Sequence, residues 1–180
     1  MSKFNENRAT AQLAELVALE SGVHPVTARK IRTAAALHDI GKLKLDKRIL
    51  NKPDKLDERE YEIIKTHTTL GAEILSGIQG ELGVMARNIC LWHHEKHDGT
   101  GYWHKKPDEL PPYIKYVTIS DIFVALLCER PYKHAWPPKD ALDYIYLGGG
   151  FIFDPALTNT FISLVHHDSR IPAIFMKTEE

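Results

Sequence analysis

Cysteine is scarce. The 180-residue chain has two, Cys90 and Cys128, far apart in sequence and in no CxxC spacing, which suggests neither a disulfide framework nor a zinc ribbon and makes a reducing compartment the default. Net charge is equally scarce. Lysine and arginine nearly cancel aspartate and glutamate to leave -1, so no global field steers the chain toward a DNA or RNA polymer or an acidic membrane surface. No apolar run approaches bilayer-spanning length, and the polar MSKFNENRA opening lacks a secretory-signal pattern, so a soluble cytoplasmic protein is the expectation. Strand-like alternation, internal repeats and low-complexity tracts are missing too. What remains is 43% hydrophobic residues, enough for a sizeable core, and the expected form is one domain over 1–180.

The periodicity that is present is helical. It predicts helices over about 6–21, closed by Gly22, and 25–39, ended near Gly41. A basic, Pro-containing connector follows. Asp57 as N-cap with Glu60 three residues on resembles a capping box and opens a long helix to about 76. Further helices are predicted from the Gly80 and Gly83 region to 94, from Pro111-Pro112 to 129, over 138–147 and over 155–167. The stretch HDGTGYWHKKPDELPP has the glycine and proline content of an ordered loop. The fold class is therefore an all-α bundle.

Ionisable residues occupy apolar stripes of these helices. His38 extends Ile31, Ala34 and Ala35; His67 lies four residues after Ile63 and seven before Ile74; His93 follows Met85 and Ile89; Asp121 follows Ile114 and Val117. With Asp39 and His94 beside them, several imidazoles and two carboxylates aim inward from four helices. Their desolvation cost is large unless positive charge sits between them, and divalent metal ions supply it. Nitrogen and oxygen donors without thiolate suit iron, manganese or similar ions.

The order H-D, H, H-H, D, with HDIGK, HHEKHDGTGYW and DIFVALLCERPYK as its fullest stretches, resembles the HD-GYP family of bacterial phosphodiesterases over about 6–162. The resemblance implies an all-helical HD-domain fold, two or three metals, commonly iron or manganese, and hydrolysis of cyclic di-GMP or a related cyclic dinucleotide. It implies one metal on His38, Asp39 and Asp121, with Asp39 bridging to a second on His67, His93 and His94. Two such metals acidify a shared water into a nucleophile for in-line attack on phosphorus. Lys42, one turn past His38, reaches the pocket mouth, and Arg130 and Lys133 lie in the phosphate-binding RPYK stretch. Lys42 and Lys133 read equally well as solvated helix-end cations. Tyr102 and Trp103 shape the substrate-side loop, while Glu95 and Asp98 organise it through backbone amides.

The chain departs from the family pattern at four positions. Trp103 replaces the signature proline. Glu6 stands where a histidine begins the first helix, as a hard-metal ligand or a first-turn acidic residue favoured by the helix dipole. Ser2 stands where trinuclear members carry a glutamate, and Val124 replaces a second aspartate. Two metals rather than three are expected, with linear pGpG as the main product. Two other readings are an HD phosphohydrolase for another nucleotide and a signalling module that docks a partner, such as a diguanylate cyclase domain, through the GYW loop.

Overall fold

The computed structural model describes residues 5–129 and 134–175. Helix α1 (Glu6–Glu20) starts at Asn5, whose side chain accepts the Arg8 N–H and so satisfies one of the donors every helix start leaves open. Helix α2 (Pro25–Ala35) follows, with proline in its first turn. Its predicted extent to residue 39 is corrected. The chain leaves the α-helix after Ala35, turns, and continues as a 3-10 segment, Ile40–Lys44.

Main-chain packing explains that early stop. A Cβ added at Gly41 would lie 1.9 Å from the His67 carbonyl oxygen and 2.5 Å from the Gly71 amide, so the 3-10 turn rests backbone against backbone on a later helix. Only glycine permits that approach. Helix α3 (Lys47–Leu50), capped by Asp46, is a short turn inside the basic connector, where no helix is predicted. Helix α4 (Glu58–Lys65) opens with the capping box read from the sequence, Asp57 and Glu60 each accepting the other's backbone N–H.

The long helix predicted to residue 76 is two helices. Thr66 turns both its amide and its hydroxyl to the Ile63 carbonyl, at 3.1 and 2.6 Å, which tightens the last turn and ends α4. Helix α5 (His67–Ile74) then sets off anew. Helices α6 (Gly80–Trp92), α7 (Ile114–Leu127), α8 (Pro138–Leu147), α9 (Pro155–His167) and α10 (Ile171–Ile174) complete the described chain. Among the described residues there is no strand, only an isolated bridge between Gly149 and Phe153. None of these helices is long and apolar enough to cross a membrane.

Helix α1 is the central element. It packs along α2 on one side and α7 on the other, while α5 closes on the 3-10 segment and on α6. Leu13, Ala14, Val17, Ile31, Ile89, Val117, Ile119, Phe123, Ile145 and Phe161 are the fully buried heart of one continuous apolar cluster. Val124, at the position where the resemblance implies an aspartate, is itself fully buried in this cluster.

Gly41→Ala should lower unfolding stability by about 2–3 kcal/mol, because the overlap is with backbone that cannot move aside alone. Gly77→Ala, where an added Cβ meets nothing within 4 Å, should be neutral or slightly stabilising. Urea titrations of both variants check this; equal midpoints would remove the proposed close approach.

Candidate metal centre

Three histidines stand at or just beyond helix C-termini: His38 after α2, His67 after α4, and His93 as C-cap of α6. Each ring is tied through Nδ1 to a carbonyl of the helix it follows. His38 Nδ1 lies 2.8 Å from Ala35 O, His67 Nδ1 2.7 Å from Ile64 O, and His93 Nδ1 2.9 Å from Ile89 O and 3.1 Å from Cys90 O. A carbonyl can only accept, so each Nδ1 carries a proton and, in the neutral ring, Nε2 presents the lone pair. This is the orientation of a histidine ligand braced from behind. Thr118 of α7 adds to the brace by donating to the His93 carbonyl at 2.9 Å.

The Nε2 atoms converge on two carboxylates. His38 Nε2 lies 3.4 Å from Asp39 Oδ2 and 3.3 Å from Asp121 Oδ1, His67 Nε2 lies 3.4 Å from Asp39 Oδ1, and His93 Nε2 lies 3.9 Å from the same oxygen. The Nε2 atoms of His67 and His93 are 3.4 Å apart. Ligands about 2.0–2.2 Å from one ion stand about 3–3.5 Å from each other, so these spacings suit bound metal. Donor atoms of His67, His93 and His94 fall within 4.8 Å of one another, as do those of His38, Asp39 and His93. His93 thus belongs to both groups.

The donor set passes a second test of fit. His38 Nε2 and Asp39 Oδ1 are buried without a well-formed hydrogen bond, the nearest carboxylate oxygens standing 3.3–3.4 Å from the ring nitrogen, a costly arrangement that a shared cation resolves. Burial pushes His67 and His93 below the usual imidazole range and takes His94 down to about 4, leaving all three neutral as metal binding requires. Burial alone would lower His38 too, but the adjacent Asp39 and Asp121 carboxylates raise it to about 10. Burial likewise opposes ionisation of Asp39 and Asp121, yet the His38 charge holds both well below the usual carboxylate range, with Lys42 adding to the effect at Asp39. The proton held on His38 thus balances the two carboxylates beside it.

Lys42 donates to Asp39 Oδ2 at 2.5 Å, which places its ammonium directly on the proposed bridging carboxylate. Glu6 lies in the first turn of α1, partly exposed, and is in neither donor group. Arg130, Lys133 and Ser2 lie outside the described residues. Tyr102 is brought in. Its ring lies 4.5 Å from that of His94, tilted by 33°, whereas Trp103 is 46% exposed.

The loop carrying these aromatics is held by buried Glu95, which accepts the Trp103 amide at 2.7 Å and the Lys105 amide at 2.8 Å. Asp98 accepts the Thr100 amide and hydroxyl, so both acids organise the loop. A Cβ at Gly101 would strike the Glu95 backbone at 2.5 Å. Sequence periodicity misses Tyr61 and Lys65 of α4. Tyr61 meets Tyr102 edge-on at 6.0 Å, and Lys65 Nζ lies over both rings. They sit one turn apart on a largely polar helix, so no apolar stripe signals them.

Comparison with known proteins follows the same lines. The model of a family described as HD domain matches residues 2–157. The chain is 40% identical over 157 residues to the cyclic di-GMP phosphodiesterase response regulator RpfG of Xanthomonas campestris, covering 84% of this chain and 40% of that one. It is 35% identical to the 3'3'-cGAMP-specific phosphodiesterase 2 of Vibrio cholerae over 83% of this chain and 28% of that one. The chain thus spans less than half the length of either relative. A solved HDG"Y"P protein from Bdellovibrio bacteriovorus superposes with a TM-score of 0.71 at 16% identity, over 91% of this chain and 53% of that one.

Asp39→Ala should empty both donor groups, since its two oxygens face different histidines, whereas His67→Ala should mainly deplete one; elemental analysis of folded protein reads the difference. Metal uptake at neutral pH should also release about one proton from His38, because a ligating Nε2 must be bare. The release should fade as pH rises through about 10, where His38 gives up that proton unaided. Calorimetry in buffers of differing ionisation heat measures it, and pH-independent release would contradict the assignment.

Proposed function

Because the chain belongs to the HD domain family, we propose that it is a metal-dependent phosphodiesterase cleaving cyclic di-GMP or a closely related cyclic dinucleotide. The observation that carries this reading is the convergence of braced Nε2 atoms on Asp39, with His38 Nε2 and Asp39 Oδ1 buried and lacking a well-formed hydrogen bond. Relatives named for cyclic di-GMP and for 3'3'-cGAMP support the substrate class. We assign two metals, iron or manganese, one on His38, Asp39 and Asp121 and the other on His67, His93 and His94. Bound metal supplies an activated water and stabilises charge on the phosphoryl oxygens.

The chain's own residues do the rest. Asp39 orients both halves of the donor set by facing His38 with one oxygen and His67 with the other. Lys42, already at Asp39, stands where it can turn its ammonium to a phosphoryl oxygen. Arg130 and Lys133 are assigned to phosphate on sequence grounds. Tyr102 walls the His94 side and restricts water there.

A second reading has one observation in its favour. Trp103 presents an exposed ring on a loop that Glu95 holds firmly, the form of an anchor for a signalling partner such as a diguanylate cyclase. The two roles are compatible in one molecule.

Metal-quantified protein incubated with a panel of cyclic dinucleotides should linearise at least one of them and lose that activity on chelation. Linear pGpG should accumulate from cyclic di-GMP, with GMP appearing slowly or not at all, because by the resemblance Ser2 stands where trinuclear members carry a glutamate and Glu6 where they carry a neutral imidazole. Folded, metal-loaded protein inert toward every member of the panel would leave the partner-docking reading in its place.

A further inference from the structure

The one cation of α4 that leans on the metal-centre wall is Lys65. Its Nζ lies 5.5 Å from the centre of the Tyr102 ring and 5.8 Å from that of Tyr61, within cation-π range of both. Tyr102 in turn lies against His94 and faces His67 at 6.5 Å. Lys65 is therefore set off from the donor set by a single aromatic ring, while Lys42 is tied directly into that set at Asp39. Two tyrosine faces draw the ammonium to one place, which removes part of the rotamer entropy a free lysine loses on binding.

Its present partner is weak. Lys65 pairs with Glu62 at 2.9 Å within one helical turn, and the Glu62 side chain is 61% exposed, so the pair is readily exchanged for a less solvated anion. A cyclic dinucleotide carries two phosphodiesters on one ring. When one lies on the metal donors, the other must find a cation one ring-width away or remain in water. Resting on the phosphodiesterase reading, we infer that Lys65, held between Tyr61 and Tyr102, binds the phosphodiester that is not being cut and selects substrates carrying two phosphates.

Steady-state kinetics on the metal-loaded full chain test this with cyclic di-GMP and with bis(4-nitrophenyl) phosphate, which has a single phosphodiester. Lys65→Met should raise KM for cyclic di-GMP about tenfold, typical of one lost charge-assisted contact, and by clearly more than any change on the one-phosphate ester. Lys65→Arg should restore most of the loss. Glu62→Gln should move KM the other way, because it frees the cation, a result that a packing role for Lys65 does not give. Equal losses on both substrates, or an unmoved KM, would overturn the assignment. Should loaded parent protein cleave neither ester, the phosphodiesterase reading fails on its own. Equilibrium dialysis of cyclic di-GMP then decides Lys65: weaker binding by Lys65→Met supports it, and equal or absent binding in parent and variant overturns it.

Discussion

Each buried imidazole of the centre is locked by a hydrogen bond from its own Nδ1 to a carbonyl in the last turn of the helix before it. That one interaction fixes tautomer, ring plane and the direction of the Nε2 lone pair. It also requires three helices to end at the site. Helix ends leave carbonyls short of partners, and here the histidines supply them. The stop of α2 at Ala35, the break at Thr66 and the C-cap at His93 are thus one device used three times.

The same geometry sets the charge balance. The C-termini of α2, α4 and α6 converge where Asp39 and Asp121 also point, and helix C-termini carry partial negative charge. An apolar core with such a focus favours cations by construction. It also forces a proton onto His38 when no other cation is there, despite burial that opposes it. The neighbouring rings answer differently: His67, His93 and His94 remain neutral because burial outweighs the carboxylates at their distance. One cluster therefore holds a proton-bearing ring beside three bare ones, and a bound metal would displace that proton and draw on all four rings.

Much of this was legible in the sequence, for reasons that differ by residue. His93 and Asp121 were readable from their stripes because Met85, Ile89, Ile114 and Val117 are buried on the same faces. His67 was placed inward for a reason that does not hold. Ile63 and Ile74 are 42% and 37% exposed, and the ring is aimed by the break at Thr66, which periodicity cannot register. His38 is similar: the stripe through Ile31, Ala34 and Ala35 is buried, but a turn rather than continued helix carries it to the ring. Local signals with a complete mechanism, the Asp57 and Glu60 capping box and the prolines opening α8 and α9, came through as predicted. Contacts that depend on tertiary approach, such as Tyr61 and Lys65 on Tyr102 or Gly41 on His67, have no one-dimensional signature.

The replaced proline shows how a motif departure can be compensated by a group the motif residue lacks. Proline fixes its backbone angle but has no N–H to donate. Trp103 gives up the fixed angle and gains a donor, and that donor reaches Glu95 Oε1 at 2.7 Å, while the Lys105 amide takes Oε2. Both oxygens of a buried carboxylate are then satisfied by the loop they hold, an arrangement that charge-assisted bonds make stronger than neutral ones. With proline at 103 the first of these bonds cannot form. Tyr102 lies between the pinned residues Gly101 and Trp103, so its approach to His94 rests on Glu95 rather than on ring closure of the backbone. The wide exposed indole is what the exchange adds to the surface, and the side of the loop that faces His94 is held without it.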